Sequence, residues 1–470
     1  MYHPTLIAQA QARLEAAYKD ALPTGLIRYP VPFCEAMAKR LANAVSPSGE
    51  PQRRLTPEED AFVANERLLS KIDYRYTAER YHYIRGDRGL QRLYPLWEPQ
   101  AIVLDRLAQL QLERSTTGHP DGLLANVLKA RQEGVSTITQ SLVAHRVTTH
   151  THVNALTASD VPENSGSEGI FGKFELIVEH LPWFLKPATK FHKKDTHWVF
   201  ANGSWMTVES GKSMKGGIQD DKGKSGVQVG VKGNLGRSRT YTVFHLTELS
   251  TWERPGQIDD GLLPAVPRSP LTMGIKESTA KGRHNWHHDD WDEAVRGNGH
   301  GAVGGRFIAI FLPWYALAKY WLPAPPDWAP DANTRAHAMK AEREGPKWLG
   351  RPVSLSRQQL YWYEETRRAY LEKGEIAKFL EEYAADPEEC FQHSGKSIFT
   401  FDQLAYLERL SRPMIDCWTV DVARDLTAIK ERDLARIRED RALAAQAVDG
   451  PAEPLVGRVA VETPVEAPVG

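Results

Sequence analysis

The feature that most constrains the fold is a series of short apolar runs between residues 91 and 310. These runs are separated by segments with helical patterning or by long loops. In chain order they are LLANVLKA, THVNALTA, HWVFANGSWMTVES, RTYTVFHLTEL, LTMGIKEST and RFIAIFLPW. Strands spaced in this way are typical of a largely parallel sheet with helices on its faces. The sequence therefore predicts an α/β fold for the centre of the chain.

The regions on either side of this centre are predicted to be mainly helical. A chain of 470 residues is too long for a single compact core, so several parts are expected. The segment Thr56-Pro57-Glu58-Glu59 has the pattern of a helix start with proline at its first position. We predict a helical region at 1–90, the α/β core at 91–320, a helical region at 321–410, an amphipathic helix at 411–448 and a disordered tail at 449–470.

Composition excludes several classes of protein. The net charge is −1, and the three cysteines are widely spaced with no C-x-x-C pair, which argues against a disulfide framework or a zinc ribbon. The most apolar stretch, 307–317, is interrupted by Pro313 and is far shorter than the roughly 20 residues of a membrane span. The N-terminus contains acidic residues and no apolar run, unlike a signal peptide. The sequence predicts a soluble protein without a membrane partner.

A candidate phosphate-binding loop lies at residues 128–137, LKARQEGVST. It follows an apolar run and precedes a helix-compatible stretch, and a strand–loop–helix unit of this kind can hold an anion at the helix N-terminus. The common pattern G-x-x-x-x-G-K-[ST] is not matched, because Val135 stands at the lysine position and no glycine stands at the first glycine position. A basic, hydroxyl-rich helix start that binds no nucleotide therefore remains an alternative.

Two further strand ends carry polar groups. The run 240–248 reads as an apolar strand that ends in Glu248, a carboxylate able to orient and deprotonate a water molecule. Thr247 stands where an aspartate is common. About thirty residues later, a strand is predicted to end in Ser278 and Thr279. The first of these strands is expected to carry its carboxylate to the phosphate site.

Together these motifs resemble the ATPase region of bacteriophage terminase large subunits, over roughly residues 90–400. That family has a deviant loop in which the phosphate lysine lies at the front. The resemblance implies a P-loop nucleoside-triphosphatase core with helical lid and linker regions, an ATP-hydrolysing activity, and ATP and Mg²⁺ as cofactors. It implies that Lys129 is the displaced lysine, Arg131 a second phosphate cation or arginine finger, and Ser136 the Mg²⁺ ligand. The implied nucleotide-binding residues are Trp97, Gln100, Lys129, Arg131, Gln132, Gly134, Val135, Ser136 and Thr137.

The resemblance also assigns the remaining roles. Glu248 is implied as the catalytic base, with Arg131 as its catalytic partner. Ser278 and Thr279 are implied to sense the γ-phosphate and couple its loss to movement. The segment 94–100 is implied to recognise adenine, Gln100 through the edge of the base and Trp97 or Tyr94 by packing nearby.

A glycine-rich basic segment at 212–239 suits contact with a DNA backbone. Its candidate residues are Lys222, Lys224, Lys232, Arg237 and Arg239, the two arginines also being candidates for reaching a neighbouring subunit's nucleotide. A solvated loop without a ligand is the alternative. The resemblance implies double-stranded DNA, a portal protein and a small terminase subunit as partners. It also implies a homo-oligomeric ring, located in the host cytoplasm and transiently at the portal vertex of the procapsid.

Two other functions are also consistent with the sequence. The departures at Val135 and Thr247 are consistent with a degenerate P-loop scaffold that binds DNA or partners without turnover, and a helicase-type translocase is a second alternative. The family's usual nuclease domain needs several carboxylates on adjacent strands. The residues after 400 carry no such pattern, so no nuclease activity is expected from this chain. The run of histidines and aspartates at 284–290 is predicted to be a solvated helix face, not a metal site.

Overall fold

An eight-stranded, mostly parallel sheet forms the centre of the fold. The computed structural model describes residues 25–46, 50–86, 89–194, 196–210, 235, 240–283, 285–301 and 303–391. The strands within this part of the chain are β1 (Tyr83–Gly86), β2 (Gly89–Arg92), β3 (Leu123–Lys129), β4 (Asn154–Ser159), β5 (Thr189–Lys193), β6 (His197–Phe200), β7 (Trp205–Ser210), β8 (Val243–Thr247), β9 (Met273–Ser278) and β10 (Ile308–Leu312).

The strand order of the large sheet is β10-β3-β9-β8-β4-β7-β6-β5. All neighbours from β10 to β7 are parallel, and β6 and β5 extend the sheet antiparallel. Each apolar run of the sequence contributes at least one of these strands. The predicted α/β class with a mainly parallel sheet is confirmed. Every residue of β3, β8, β9 and β10 is buried, as expected for strands that are covered on both faces.

Helices cover the sheet and flank it in sequence. Among the described residues they are α1 (Val31–Leu41), α2 (Pro57–Ile72), α3 (Tyr74–Tyr81), α4 (Glu98–Thr117), α5 (Val135–Thr149), α6 (Pro162–Ser165), α7 (Ile170–His180), α8 (Trp286–Gly297), α9 (Ala332–Leu349), α10 (Arg357–Glu372), α11 (Ile376–Glu382) and α12 (Pro387–Cys390). The predicted helix start at Thr56 is confirmed, because Thr56 and Glu59 form a capping box there.

The two faces of the sheet pack into separate apolar clusters. Along β3, Leu123, Ala125 and Val127 belong to the cluster that includes residues of α4, α5 and α7. Leu124 and Leu128, which alternate with them, belong to the cluster that includes residues of α8. This alternation is the period of two expected of a strand, and it places β3 between two helical layers.

The helical region after β10 packs on an aromatic cluster of its own. Trp314, which follows β10, is fully buried among Tyr363, Phe379 and Tyr315. Ala130 of the candidate phosphate loop belongs to the same cluster. The Arg131 backbone N–H donates to the Glu382 carbonyl, so α11 meets the loop directly. The helices α9 to α12 lie within the region 321–410.

Several predictions concern other parts of the chain. The helix at 411–448, the tail at 449–470 and the basic side chains at 222, 224, 232, 237 and 239 lie outside the described residues. The helices that the structure describes include none with the length and apolar character of a membrane span.

Candidate functional site

The predicted strand–loop–helix unit is present. The strand β3 ends at Lys129, and α5 begins at Val135 after a loop of residues 130–134. Two backbone positions bend this loop, Gln132 with φ 54° and Gly134 with φ 74°. Positive φ is costly for a side-chain-bearing residue such as Gln132, and such positions cluster at ligand sites. The N-terminus of α5 has no side-chain cap, so its first backbone N–H groups are available to an anion.

Gln100 fixes the end of this loop. Its Nε2–H donates to the Gly134 carbonyl at 3.2 Å, and its Oε1 accepts from the Trp97 backbone N–H at 3.0 Å. A Cβ atom added at Gly134 would lie 2.7 Å from Gln100 Nε2 and 3.1 Å from Trp97 Cε3. Gln100 is therefore buried and occupied at both polar atoms, so the structure places it as an anchor of the loop. Its pairing with adenine remains a prediction.

We expect Gly134→Ala to destabilise the protein more than Gly118→Ala does. Both glycines have positive φ, 74° and 66°, so each substitution carries backbone strain of about 1–2 kcal/mol. Only Gly134 has neighbours that a Cβ would meet, since nothing lies within 4 Å of that position at Gly118. Urea denaturation of the two variants measures the difference. Equal losses would show that Gln100 and Trp97 move aside at no cost.

Lys129 lies between two acidic side chains at the base of the loop. Its Nζ is 3.7 Å from Glu248 Oε1 and 3.6 Å from Glu277 Oε2. Burial acts to lower the pKa of Lys129, but Glu277, Glu248 and Glu133 outweigh it and raise the pKa above its ordinary value. Lys129 is therefore held as a buried cation at the place where the sequence predicted a phosphate lysine.

Glu248 lies at the carboxyl end of β8, as predicted. It has φ 56°, which turns the chain sharply after the strand, and its side chain is 39% exposed. Burial raises the pKa of Glu248, Lys129 opposes the shift, and Glu277 and Asp160 raise it further. A carboxylate with a raised pKa is a better proton acceptor than an ordinary glutamate.

Ser278 links the end of β9 to the turn that follows Glu248. Its Oγ accepts from the Ser250 backbone N–H at 3.1 Å, and its hydroxyl is 3.1 Å from Ser250 Oγ. Ser250 belongs to the short 3₁₀ segment Leu249–Thr251. The predicted coupling residue therefore contacts the segment adjoining the predicted base. Thr279 follows it, and its part in coupling remains a prediction.

Arg131 is tied to the helical region. Its Nη1 donates to Glu382 Oε1 at 2.8 Å, and its backbone N–H donates to the Glu382 carbonyl at 3.1 Å. Tyr370 donates to the other oxygen of Glu382 at 2.7 Å. The Arg131 side chain is still 52% exposed. In this structure Arg131 therefore contacts α11, and its role at a nucleotide phosphate remains a prediction.

Lys319 is a further cation beside the loop. Its Nζ donates to Gln132 Oε1 at 3.3 Å and lies 4.9 Å from the centre of the Trp97 ring. Trp97 is 42% exposed and forms a flat apolar surface next to Gly134. An exposed aromatic ring and an ammonium group at one edge of a phosphate loop suit a base and an anion respectively.

Glu133 is an unusual residue for a phosphate loop. It is fully buried, and neither carboxyl oxygen has a hydrogen-bond partner among the described residues. Burial raises the pKa of Glu133 well above its ordinary value, against the opposing effect of Lys129 and Lys319. Burial therefore favours the uncharged form of this side chain.

Glu277, on β9, is the acid that the sequence interpretation did not single out. It is fully buried, and its Oε1 accepts from Thr247 Oγ1 at 3.0 Å and from His245 Nε2 at 3.1 Å. Burial alone would raise its pKa, but Lys129, His245 and Ser136 lower the pKa of Glu277 to about 2. A glutamate inside an apolar strand carries no motif of its own. Its position in the register opposite Thr247 is the signal that could have identified it.

These residues suit a nucleotide carrying Mg²⁺. An uncapped helix N-terminus, a positive-φ glycine and Lys129 match phosphate oxygens. The Ser136 hydroxyl and a buried carboxylate oxygen of Glu277 that lacks a hydrogen-bond partner are the oxygen donors that Mg²⁺ prefers. In the described part of the chain, no group of three or more His, Cys, Asp or Glu side chains forms a separate metal cluster. The prediction that the His/Asp run is a solvated helix face is wrong for two of its described members. His287 and Asp290 are buried because their side of α8 packs onto the sheet, where Asp290 pairs with Lys276.

No family model matches the chain, and no curated protein matches it. Solved structures similar to it include the large terminase ATPase domain of Thermus phage P74-26, at 15% identity and a TM-score of 0.32 over 59% of this chain and 92% of that one. The HK97 bacteriophage large terminase is similar at 12% identity and a TM-score of 0.35, over 75% of this chain and 55% of that one.

A third similar structure is the large terminase of a thermophilic bacteriophage, at 11% identity and a TM-score of 0.30. The similarity covers 46% of this chain and 45% of that one, so the chain spans about half the length of this terminase and of the HK97 protein. The fold assignment rests on the observed strand pairing.

Proposed function

We propose that the chain is an ATP-driven motor for packaging double-stranded DNA, of the terminase large-subunit type. The observation that carries the proposal is the convergence of Lys129, Glu248 and Ser278 at the carboxyl ends of β3, β8 and β9. These strands are neighbours in one parallel sheet, and ligands of such sheets bind at that edge. The proposed family rests on the resemblance of the motifs, and the proposed chemistry rests on this geometry.

The proposed hydrolysis uses residues of three strand ends. When bound, ATP supplies the phosphoanhydride bond and Mg²⁺ neutralises the charge of its phosphates. Lys129 and the first N–H groups of α5 bind phosphate oxygens, and the Ser136 hydroxyl contributes to holding the metal. Glu248 accepts a proton from the attacking water, whose oxygen bonds to the terminal phosphorus as the bond to the ADP oxygen breaks.

Two contacts link this chemistry to the rest of the fold. Ser278 connects β9 to the turn after Glu248, so loss of the terminal phosphate is proposed to move that turn. Arg131 connects the loop to Glu382 of α11, so the helical region is proposed to move with the loop. The proposed partners are double-stranded DNA, a portal protein, a small terminase subunit and further copies of this chain in a ring. The proposed place of action is the host cytoplasm, at the procapsid portal.

The test begins with binding of a fluorescent ADP analogue in the presence of Mg²⁺. ATP hydrolysis is then measured with and without linear double-stranded DNA, and again with portal and procapsid added. We expect turnover that requires Mg²⁺ and rises with DNA. Binding without turnover under all these conditions would favour the degenerate scaffold. Strand separation that needs no portal would favour the helicase-type translocase.

A further inference from the structure

A buried acid on β9 lies beside the position where a metal-binding acid is missing on β8. Thr247 stands at the end of β8 and pairs in register with Glu277 of the neighbouring strand. The Thr247 hydroxyl donates to Glu277 Oε1 at 3.0 Å. Thr247 therefore supplies no carboxylate of its own, and its hydroxyl instead orients one that comes from the adjacent strand.

A chain of hydrogen bonds fixes the orientation of Glu277. The Gln140 Nε2–H group lies 2.7 Å from His245 Nδ1, which must then accept, and Gln140 Nε2 also donates to Thr157 Oγ1 at 2.8 Å. His245 therefore carries its proton on Nε2 and donates to Glu277 Oε1 at 3.1 Å. All four side chains are buried. Support of this kind from behind a carboxylate is typical of metal ligands.

The second carboxyl oxygen of Glu277, Oε2, has different surroundings. Oε2 is buried and has no hydrogen-bond partner among the described residues, and the nearest cation, Lys129 Nζ, is 3.6 Å away. The next residue back along β9 offers a comparison, because Lys276 makes a hydrogen-bonded ion pair with Asp290. A buried pair with a purely structural role is expected to make such a contact. Glu277 Oε2 instead lies 3.6 Å from Lys129 Nζ, and the Ser136 side chain is a hydrogen-bonding neighbour of the same carboxyl group.

We propose that Glu277, acting with the Ser136 hydroxyl, holds the Mg²⁺ ion that accompanies the nucleotide and so replaces the carboxylate that Thr247 does not provide. The inference rests on the proposed function, since it presupposes a nucleotide at the loop. It adds to that function the strand from which the metal-holding acid comes. The competing interpretation is that Glu277 serves only as the counter-ion of Lys129.

The two interpretations differ in how ADP binding depends on the metal. If Glu277 holds the metal, Glu277→Gln weakens ADP binding in Mg²⁺ but leaves or strengthens it in EDTA, because a negative charge near the phosphates has been removed. If Glu277 only positions Lys129, the substitution changes both affinities by a similar factor. Glutamine keeps the side-chain shape and an acceptor oxygen for Thr247 and His245, so the buried network has a replacement partner.

The experiment measures ADP affinity by calorimetry in Mg²⁺ and in EDTA, and Mn²⁺ affinity of the ADP complex by electron paramagnetic resonance. In Glu277→Gln we expect Mn²⁺ affinity to fall by about tenfold or more, in line with the loss of a metal-supporting group. The control is Glu163→Gln, the same change at an exposed position in α6, for which no change is expected. An unchanged Mn²⁺ affinity in Glu277→Gln would overturn the inference.

Two further outcomes of the experiment have a defined meaning. If circular dichroism shows that Glu277→Gln does not fold, the measurement is made on Glu277→Asp, which keeps the charge but shortens the side chain. A metal-holding role then predicts weaker Mn²⁺ binding, whereas unchanged binding contradicts it. If the native chain binds no ADP in either condition, the proposed function itself fails. If it binds ADP more tightly in Mg²⁺ and the variant does so equally, only the role of Glu277 fails.

Discussion

Replacing Glu248 by glutamine is expected to slow ATP hydrolysis by about 10²- to 10⁴-fold, the usual contribution of a positioned general base. Glutamine cannot accept the proton of the attacking water, although it keeps nearly the same shape at the end of β8. Loss of the Glu248 carboxylate should leave ADP binding within a few-fold of the native value, because Lys129 and the backbone of the loop remain. The measurement is DNA-stimulated turnover together with binding of a fluorescent ADP analogue.

The matched control is again Glu163→Gln, which makes the same chemical change at an exposed residue of α6. Turnover in that variant should equal the native rate. Native-like turnover in Glu248→Gln would mean that another group takes the proton. A parallel loss of binding and turnover would mean that Glu248 organises the loop instead of acting on water.

Replacing Lys129 by methionine is expected to lower the free energy of unfolding by about 3–5 kcal/mol at neutral pH, the range for removing one partner of a buried ion pair. The reason is that Lys129 is the cation between Glu248 and the fully buried Glu277. Urea denaturation measures the change. Lys378→Met is the control, since that lysine is 53% exposed and its pairing with Glu375 should contribute less than about 1 kcal/mol.

The pH dependence of the stability difference between the native protein and Lys129→Met distinguishes loss of the ion pair from a simple packing defect. In the native protein the pKa of Glu277 is about 2 in the folded state, below its ordinary value of 4.5. Its contribution to stability is present above about pH 4.5 and is lost as the pH falls towards 2. Without Lys129, burial should raise the pKa of Glu277, so protonation on acidification stabilises the variant. The stability difference between the two proteins should therefore shrink as the pH falls. A difference that stays constant with pH would indicate a packing defect alone.

Much of the central architecture could be predicted from sequence because local signals agree with the fold. The alternation of apolar runs and helical segments is a direct consequence of strands that are covered on both faces. Lys129 and Glu248 could be placed because Lys129 ends the strand β3 and Glu248 directly follows the strand β8. Position at a strand end is a property of the local sequence, and the parallel order of the sheet then brings the ends together.

The remaining features depend on contacts that no local pattern encodes. Glu277 lies within a buried strand, and its role follows only from the pairing of β9 with β8 and β3. The ion pair of Arg131 with Glu382 joins residues that are 251 positions apart. The Gln100 amide donates to the backbone of Gly134, which is 34 positions away, and its pairing with adenine stays a prediction. In each case the partner is chosen by tertiary packing, which spacing along the chain does not reveal.

An anion that draws the Arg131 guanidinium away from Glu382 has to break this contact, and breaking it costs free energy. The carboxylate that would be left behind also accepts from Tyr370, so it keeps only part of its stabilisation after the arginine departs. The affinity observed for such an anion is its intrinsic affinity reduced by the work of that separation. An anion that does not draw Arg131 away incurs no such cost, because the arginine then stays with Glu382 of α11.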